Sequence, residues 1–580
     1  MTPTSAGSAF RAARNFLLET ATDYGQAINQ FVWPRFTAFN WALDWFDDIL
    51  ATEHANDRAL WIVDATGAER CWTFAELSAR SSQAAGWLRD QGVRRGDRVL
   101  VQLGNQVELW ETLLALMKLG AIAVPTSPLL PPVDVAGRVV RADVGHLVVR
   151  ADRTGGLGSL PPGLTRIAVG RPIDGWLRYD DNRHAPASFE PDDATLADDP
   201  LLILFTPGTT GRAKAIVHTH VSYPVGHLTT MYWVGLRPGD VHLSVSSPGW
   251  TKHLCGNVFT PWNAAACVLV YAAPQPSPDT LLGLAERCGV TTMCAPPKAW
   301  RTLAATDLVS WRKRLPKLRE LVTISEPVSP AVVHRIRRAW GLTVREGYGQ
   351  SEATALVAHT PEQPVTLGAL GRPLPGCPVV LIDPVSGYPA APGEEGEICL
   401  DLARRPVGLM SRYLDAVEPI IAGRDTVPTG RFDRAPDRRY YRTGDVAVAD
   451  ELGFLRYLGR VEDVFSSADH RISPVELEGV LVEHEAVGEA AVVPTPDTTE
   501  TLPKAYIDLA AGYRPGPETA RAILRFARSH LPPYQRVRRV EFGPLPRTVS
   551  GKVRRTELRE RERGSHRRPH EYREEDFPDL

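Results

Sequence analysis

The chain is short of the features that mark several large classes of protein. Its seven cysteines are scattered from Cys71 to Cys399 with no Cys-x-x-Cys pair. That argues against a zinc site and suits reduced thiols. The net charge is only −2, which gives no electrostatic footprint for nucleic acid. The longest apolar run, Ala264 to Ala273, is too short to span a bilayer. Arg11, Arg14 and Glu19 interrupt the apolar stretch that a secretion signal needs. These absences predict a cytoplasmic protein with no nucleic-acid or membrane partner, and they leave its oligomeric state open.

What is present is an ordinary globular composition, 43% apolar and 23% charged. At 580 residues the chain exceeds what one hydrophobic core usually serves, so two or more domains are expected. Residues 1–35 read as a helical extension or partly ordered arm. Trp72 to Leu77 leads into a helix with an apolar stripe of Leu77, Ala84, Ala85 and Leu88, followed by a buried strand at Arg98–Leu103. Strand and helix patterns alternate to about residue 300, which predicts layered α/β structure with largely parallel sheets. Gly368 to Gly396 is rich in Gly and Pro between short apolar runs and reads as a β-barrel-like subdomain. A boundary near Gly459–Arg460 separates a large unit, 36–459, from a small α+β unit, 460–558. Residues 559–580 have mixed charge and read as a solvated, disordered tail.

The most informative stretch is Leu204-Phe-Thr-Pro-Gly-Thr-Thr-Gly-Arg-Ala-Lys214. The run Leu201–Phe205 enters it and Ile216–Val217 leaves it, which predicts a hairpin. Gly208 and Gly211 let backbone N–H groups approach an anion, Thr206, Thr209 and Thr210 add donors, and Lys214 adds charge. The tip can therefore wrap polyphosphate. It is not a Walker A loop, which needs Gly-Lys-Ser/Thr opening a helix. In order behind it come Glu346-Gly-Tyr-Gly-Gln-Ser-Glu352, Tyr441-Arg-Thr-Gly-Asp445, Gly459-Arg-Val-Glu-Asp463 and Pro546-Arg-Thr-Val-Ser-Gly-Lys552.

The order and spacing of these segments resemble the AMP-forming adenylating superfamily of acyl- and aryl-CoA synthetases, peptide-synthetase adenylation domains and firefly luciferase. The likeness runs from about Trp72 to Leu558. Ser247-Pro-Gly-Trp250, Pro261-Trp262 and Arg471-Ile-Ser-Pro-Val-Glu476 resemble the medium-chain acyl-CoA synthetases most. The resemblance implies attack of a carboxylate on the α-phosphorus of ATP, with pyrophosphate leaving. Such chemistry depends on positioning, cations and aligned donors. ATP and Mg2+ are thus expected, and CoA as acceptor.

By the same resemblance, the 206–214 loop grips pyrophosphate, and Ser325, Glu326 and Pro327 line the adenine with their backbone. Tyr348 in the Glu346–Gln350 segment stacks on the base. Ser351 donates to the α-phosphate, and Glu352, with Thr209, holds Mg2+. Asp445 takes the ribose hydroxyls, and Arg460 reaches ribose or α-phosphate. Lys552 arrives from the small domain to bridge carboxylate and phosphate. Glu462 is the hinge. The acid pocket involves Trp250, Lys252, His253, Gly256, Ala295 to Pro297, Gly347 and Gly349. The acetyl-specific branch carries Trp where this chain has Gly349, which predicts room for something larger than acetate.

The chain also departs from the pattern. Pro207 stands where Ser is usual and forfeits a backbone donor and a hydroxyl. Ala213 replaces Pro and Ser325 replaces Gly. After the hinge, Ser466-Ser-Ala-Asp-His-Arg471 puts Asp469 where a tunnel-lining Gly is usual, beside His470 and Arg471. A carboxylate there narrows the thiol's path and costs desolvation. Three readings follow: a CoA ligase, favoured; an adenylating enzyme with another acceptor, such as a diazotase that activates nitrite for an aryl amine; and a nucleotide-binding module without turnover, against which Glu352, Asp445, Arg460 and Lys552 argue.

Overall fold

In the computed structural model the described residues are 4–157, 160–206, 213–273, 276–324, 328–384, 386–404, 406–415, 440–467, 470–497, 501–547, 553–564 and 567–580. The fold is mixed α/β, with a large N-terminal part built on two sheets and a small C-terminal part on its own sheet.

The first sheet has eight strands. Its parallel centre is Arg98–Gln102 flanked by Ile122–Pro125 and His146–Arg150. Both faces are buried, so these strands read as continuous apolar runs. At one side the hairpin Pro200–Thr206 and Lys214–Thr219 pairs antiparallel, with Thr206 opposite Lys214. Helix Phe74–Asp90 covers the neighbouring core with Leu77, Ala84, Ala85 and Leu88. Its start is fixed by a capping box in which Thr73 accepts from the Glu76 amide and Glu76 accepts from that of Thr73, a device worth about 1 kcal/mol.

The second sheet has thirteen strands. Val241–Ser244, Cys267–Tyr271, Thr292–Cys294, Glu320–Ile324 and Val344–Gln350 run parallel. From Ala353–Ala358 onward the pairing is antiparallel. The Gly/Pro-rich region supplies Ala369–Pro373, Val379–Ile382 and Glu395–Asp401, which join Tyr440–Ala449 and Leu455–Arg460 at the end of this sheet.

Of the two readings of the N-terminus, the structure has the helical extension. Helices Ser5–Glu19 and Tyr24–Gln30 pack on the large part. Buried Arg14 donates to the carbonyls of Asn263 (3.1 Å) and Ala264 (2.8 Å), and Trp33 Nε1 donates to Gly376 O at 2.8 Å. These long-range contacts tie the extension to the large part.

The C-terminal sheet joins Val487–Pro496, Thr501–Leu509, Arg539–Phe542 and Glu571–Arg573. The last strand corrects the expectation of a disordered tail. Glu571–Arg573 pairs antiparallel with Arg539–Glu541, and Phe577 and Leu580 pack against the C-terminal core. The charges that suggested solvation are partnered inside. Lys504, 1% exposed, contacts Glu541 (2.7 Å), Glu562 (3.0 Å) and Glu571 (2.9 Å). Among the described residues no helix is long and apolar enough to cross a membrane.

Candidate active site

The carboxyl ends of the parallel strands open on one cavity of about 2690 Å³ whose walls come from both parts of the chain. Parallel sheets commonly bind ligands at these ends. Strand Val344–Gln350 delivers the Glu346–Gln350 segment with Ser351 and Glu352 behind it, the hairpin delivers Thr206 and Lys214, and Tyr440–Ala449 delivers Asp445. His470, Arg471, Glu476 and Arg555 face them from the C-terminal part.

Asp445 is the centre of the polar network. Its side chain is 2% exposed. Oδ2 accepts from Tyr348 Oη (2.7 Å) and Gln350 Nε2 (2.6 Å). Oδ1 accepts from Tyr457 Oη (3.0 Å) and meets Arg460 Nε at 3.1 Å. The turn before it is set from behind. Glu397 accepts from the Gly444 amide (2.8 Å) and pairs with Arg442 (2.7 Å). Gly444 holds a left-handed φ of 77°, which favours glycine.

Glu352, Tyr413 and Lys214 form a second group. Tyr413 Oη donates to Glu352 Oε1 at 3.0 Å, and Lys214 Nζ lies 5.6 Å from the Tyr413 ring centre. Ser351 Oγ donates to Thr251 Oγ1 at 3.0 Å. Its carbonyl accepts from His218 Nε2 at 2.8 Å. Burial lowers the His218 pKa to about 4, so the ring is neutral and its Nε2 proton faces Ser351. Burial pushes Glu346 up to about 7, despite the bond its Oε1 accepts from the Val328 amide.

The expected acid-pocket residues divide. Trp250, Lys252, Pro296, Pro297, Gly347 and Gly349 line the cavity. Lys252 Nζ donates to Ile324 O at 3.4 Å. His253 sits behind the lining: its Nε2 meets Oδ1 of Asn105, which does line the cavity, at 3.0 Å, and burial holds its pKa at about 3. Gly256 and Ala295 sit behind the wall. Gly256 is required by packing, since a Cβ would meet Ser244 Oγ at 2.4 Å.

Gly349 needs a correction. A Cβ there would run into Thr354 O at 2.3 Å, and one at Gly347 into the Trp233 ring at 2.4 Å. Both glycines answer to close approach of neighbouring groups, so Gly349 does not by itself make space for a larger acid.

At the junction, Glu462 lines the cavity, and its carbonyl accepts from Arg559, which also holds Asp463 Oδ1 at 2.8 Å. Arg471 pairs with Glu395 across the two parts at 2.8 Å, and the His470 ring stacks on Tyr534 at 4.2 Å. Gly208, Thr209, Thr210 and Gly211, with Pro207, lie outside the described residues, as do Ser325, Glu326, Pro327, Asp469 and Lys552. Sequence reasoning missed Tyr457, Tyr413, Glu397 and His218. Tyr457 stands three residues before Arg460 on the strand Leu455–Arg460, the one signal that could have found the first.

The donor set suits a magnesium nucleotide. Among the described residues no three His, Cys, Asp or Glu side chains cluster as a metal cage. Mg2+ bound chiefly through phosphates and water needs only one or two carboxylates, and Glu352 offers one beside Lys214.

A model of the AMP-binding enzyme family matches residues 49–414, and one of the AMP-binding enzyme C-terminal domain matches residues 476–552. The chain belongs to this family. It is 36% identical to 4-hydroxybutyrate–CoA ligase 1 of Metallosphaera sedula over 90% of this chain and 91% of that one. It is 34% identical to the mitochondrial acyl-coenzyme A synthetase ACSM4 of Homo sapiens over 94% of each. The solved anthranilate CoA ligase AuaEII, in complex with anthranoyl-AMP, is similar with a TM-score of 0.79 and 25% identity, covering 91% of this chain and 98% of that one. The enzyme is an AMP-forming acid–thiol ligase that makes an acyl-AMP and then an acyl-CoA, using ATP, Mg2+ and CoA. The relatives do not support the nitrite-activating alternative.

Proposed function

We propose that this ligase activates an aryl or medium-chain carboxylic acid larger than acetate. One observation carries the reading. Beside Gly347 and Gly349 the cavity continues inward to Tyr223, His227, Thr230 and Ala355, all at most 3% exposed. An acid whose carboxylate lies by the nucleotide groups has a deep, buried arm to fill, and filling it removes apolar surface from water. The names of the relatives, which act on 4-hydroxybutyrate and anthranilate, agree with a substrate of that size.

In this reading Asp445 and Arg460 hold the ribose side of ATP, which must replace some of the donors that now occupy the Asp445 carboxylate. Lys214 and the 206–214 hairpin take pyrophosphate, and Glu352 holds the metal. Lys552, delivered by the small part after a pivot at Glu462, stabilises charge at the attack step. Arg471 and the segment around Asp469 shape the thiol's approach. The compartment is read as cytoplasmic from cysteines that are all unbridged, and fractionation of a tagged chain tests it. The substrate reading is tested by kcat/KM for acyl-CoA formation from acetate, hexanoate, octanoate and benzoate. One of the larger acids should exceed acetate roughly 100-fold, as several buried CH2 groups at about 0.8 kcal/mol each imply. Acetate as the best substrate overturns it.

A further inference from the structure

The inner arm of the cavity ends on the helix His227–Val234. His227 is 3% exposed and lines the cavity. Its ring is wedged edge-on against Tyr223, with centres 4.4 Å apart, and lies parallel to Phe259 at 6.4 Å. Nδ1 sits 2.9 Å from Thr230 Oγ1. Nε2 is buried and has no hydrogen-bond partner among the described residues. A buried polar atom left unpaired is costly, and native proteins rarely tolerate one without a use.

The hydroxyls nearest to it make their hydrogen bonds elsewhere. Tyr223 Oη is committed to Thr251 O at 3.0 Å, and Thr230 Oγ1 to the other ring nitrogen. Thr354, beside the start of this helix, donates to Gly226 O at 3.1 Å. His227 itself lines the cavity that the acyl group fills, and Nε2 is its one unpaired side-chain nitrogen among the described residues. Burial, with His218 nearby, lowers the His227 pKa to about 3, so the ring is neutral at physiological pH. A neutral buried ring does not favour a second carboxylate or an ammonium, whose charges would be desolvated without a counter-ion. Thr230 fixes the tautomer in one of two ways, leaving Nε2 as donor or as acceptor. A hydroxyl can answer either, because it both donates and accepts.

We propose that His227 recognises a neutral hydroxyl on the part of the substrate far from its carboxylate, so that the ligase's acid is a hydroxy-substituted one. The inference rests on the reading of this arm as the acyl pocket. It makes His227 a specificity-determining residue of the first half-reaction.

The test is kcat/KM for acyl-CoA formation with paired acids: ω-hydroxyalkanoates of four to eight carbons against alkanoates of equal length, and hydroxybenzoates against benzoate. At least one hydroxylated acid should exceed its partner roughly ten-fold or more, the cost of leaving a buried polar group unpaired. His227→Phe should bring that ratio close to one, and His227→Gln, which keeps a donor and an acceptor, should retain most of it. Ratios near one for every pair in the wild type overturn the inference whether or not the variants fold, and so does a ratio that His227→Phe leaves intact. If larger acids turn over with ratios near one, this inference falls and the acyl-pocket reading stands. If no acid larger than acetate turns over, both fall.

Discussion

Asp445→Asn separates an organising carboxylate from a merely local one. The native carboxylate accepts four donors, two on each oxygen: Tyr348 and Gln350 on Oδ2, Tyr457 and Arg460 on Oδ1. An amide has one accepting oxygen, so its NH2 must face one pair of donors. Two bonds to a charged acceptor are lost, each worth about 1.5–3 kcal/mol. Arg460 is 34% exposed and regains part of this from water, which leaves a loss of about 3 kcal/mol. All fourteen tryptophans fall between Trp33 and Trp340, so tryptophan fluorescence during urea unfolding reports the large part alone. The same disorder spreads to Tyr348 and Gln350 and should raise KM for ATP roughly 10- to 100-fold, at about 1.4 kcal/mol per decade. A variant within about 1 kcal/mol of wild type and within about threefold in KM for ATP would refute the reasoning.

Glu346 is buried with a pKa raised from 4.5 to about 7. A carboxyl raised in the folded state favours folding most below its unfolded pKa, and that contribution is lost as pH rises from 4.5 through 7. Glu346→Gln should therefore flatten the stability–pH curve over that window and gain roughly 2–3 kcal/mol relative to wild type at pH 8, measured by urea unfolding. Lys504→Met leaves Glu541, Glu562 and Glu571 facing one another without their cation and should cost about 3–5 kcal/mol by calorimetry. Burial alone would raise Glu562 and Glu571, but bonds from Thr495, Tyr506 and Lys504 hold Glu562, and bonds from Lys504 and Arg573 hold Glu571, below the usual carboxylate range. The stability they give is present above the unfolded pKa and lost as pH falls. The defect of Lys504→Met should accordingly shrink below about pH 5, as the carboxylates protonate. Lys552→Ala should lower substrate-dependent exchange of labelled pyrophosphate into ATP roughly 100-fold or more while leaving ATP binding nearly intact; wild-type exchange would remove it from the attack step.

Much of the frame is legible in the chain because its signals are local. The apolar runs on either side of Thr206–Lys214 form the predicted hairpin, and Thr73 with Glu76 starts the helix whose stripe is Leu77, Ala84, Ala85 and Leu88. Glu346 and Glu352, and the distant pair Asp445 and Arg460, face one cavity. What escaped depends on pairing between distant strands. Tyr457 reaches Asp445 only because Tyr440–Ala449 and Leu455–Arg460 pair with a bulge near Val446. Tyr413 reaches Glu352 because Arg412–Tyr413 adds to the edge of the hairpin. The charged C-terminus looked solvated because composition does not reveal that Lys504 is buried among three carboxylates, two of them after residue 560. At Gly349 a sequence pattern suggested open space, whereas the backbone of Thr354 and Ala355 occupies it.

The most direct test of the account is a rapid-quench time course of the enzyme with ATP, Mg2+ and its best acid, before and after addition of CoA. The account predicts acyl-AMP and pyrophosphate in amounts close to the enzyme concentration without CoA, and conversion of that acyl-AMP to acyl-CoA and AMP once CoA is added. Pyrophosphate release that ignores CoA, with no thioester formed from any acid, would contradict it.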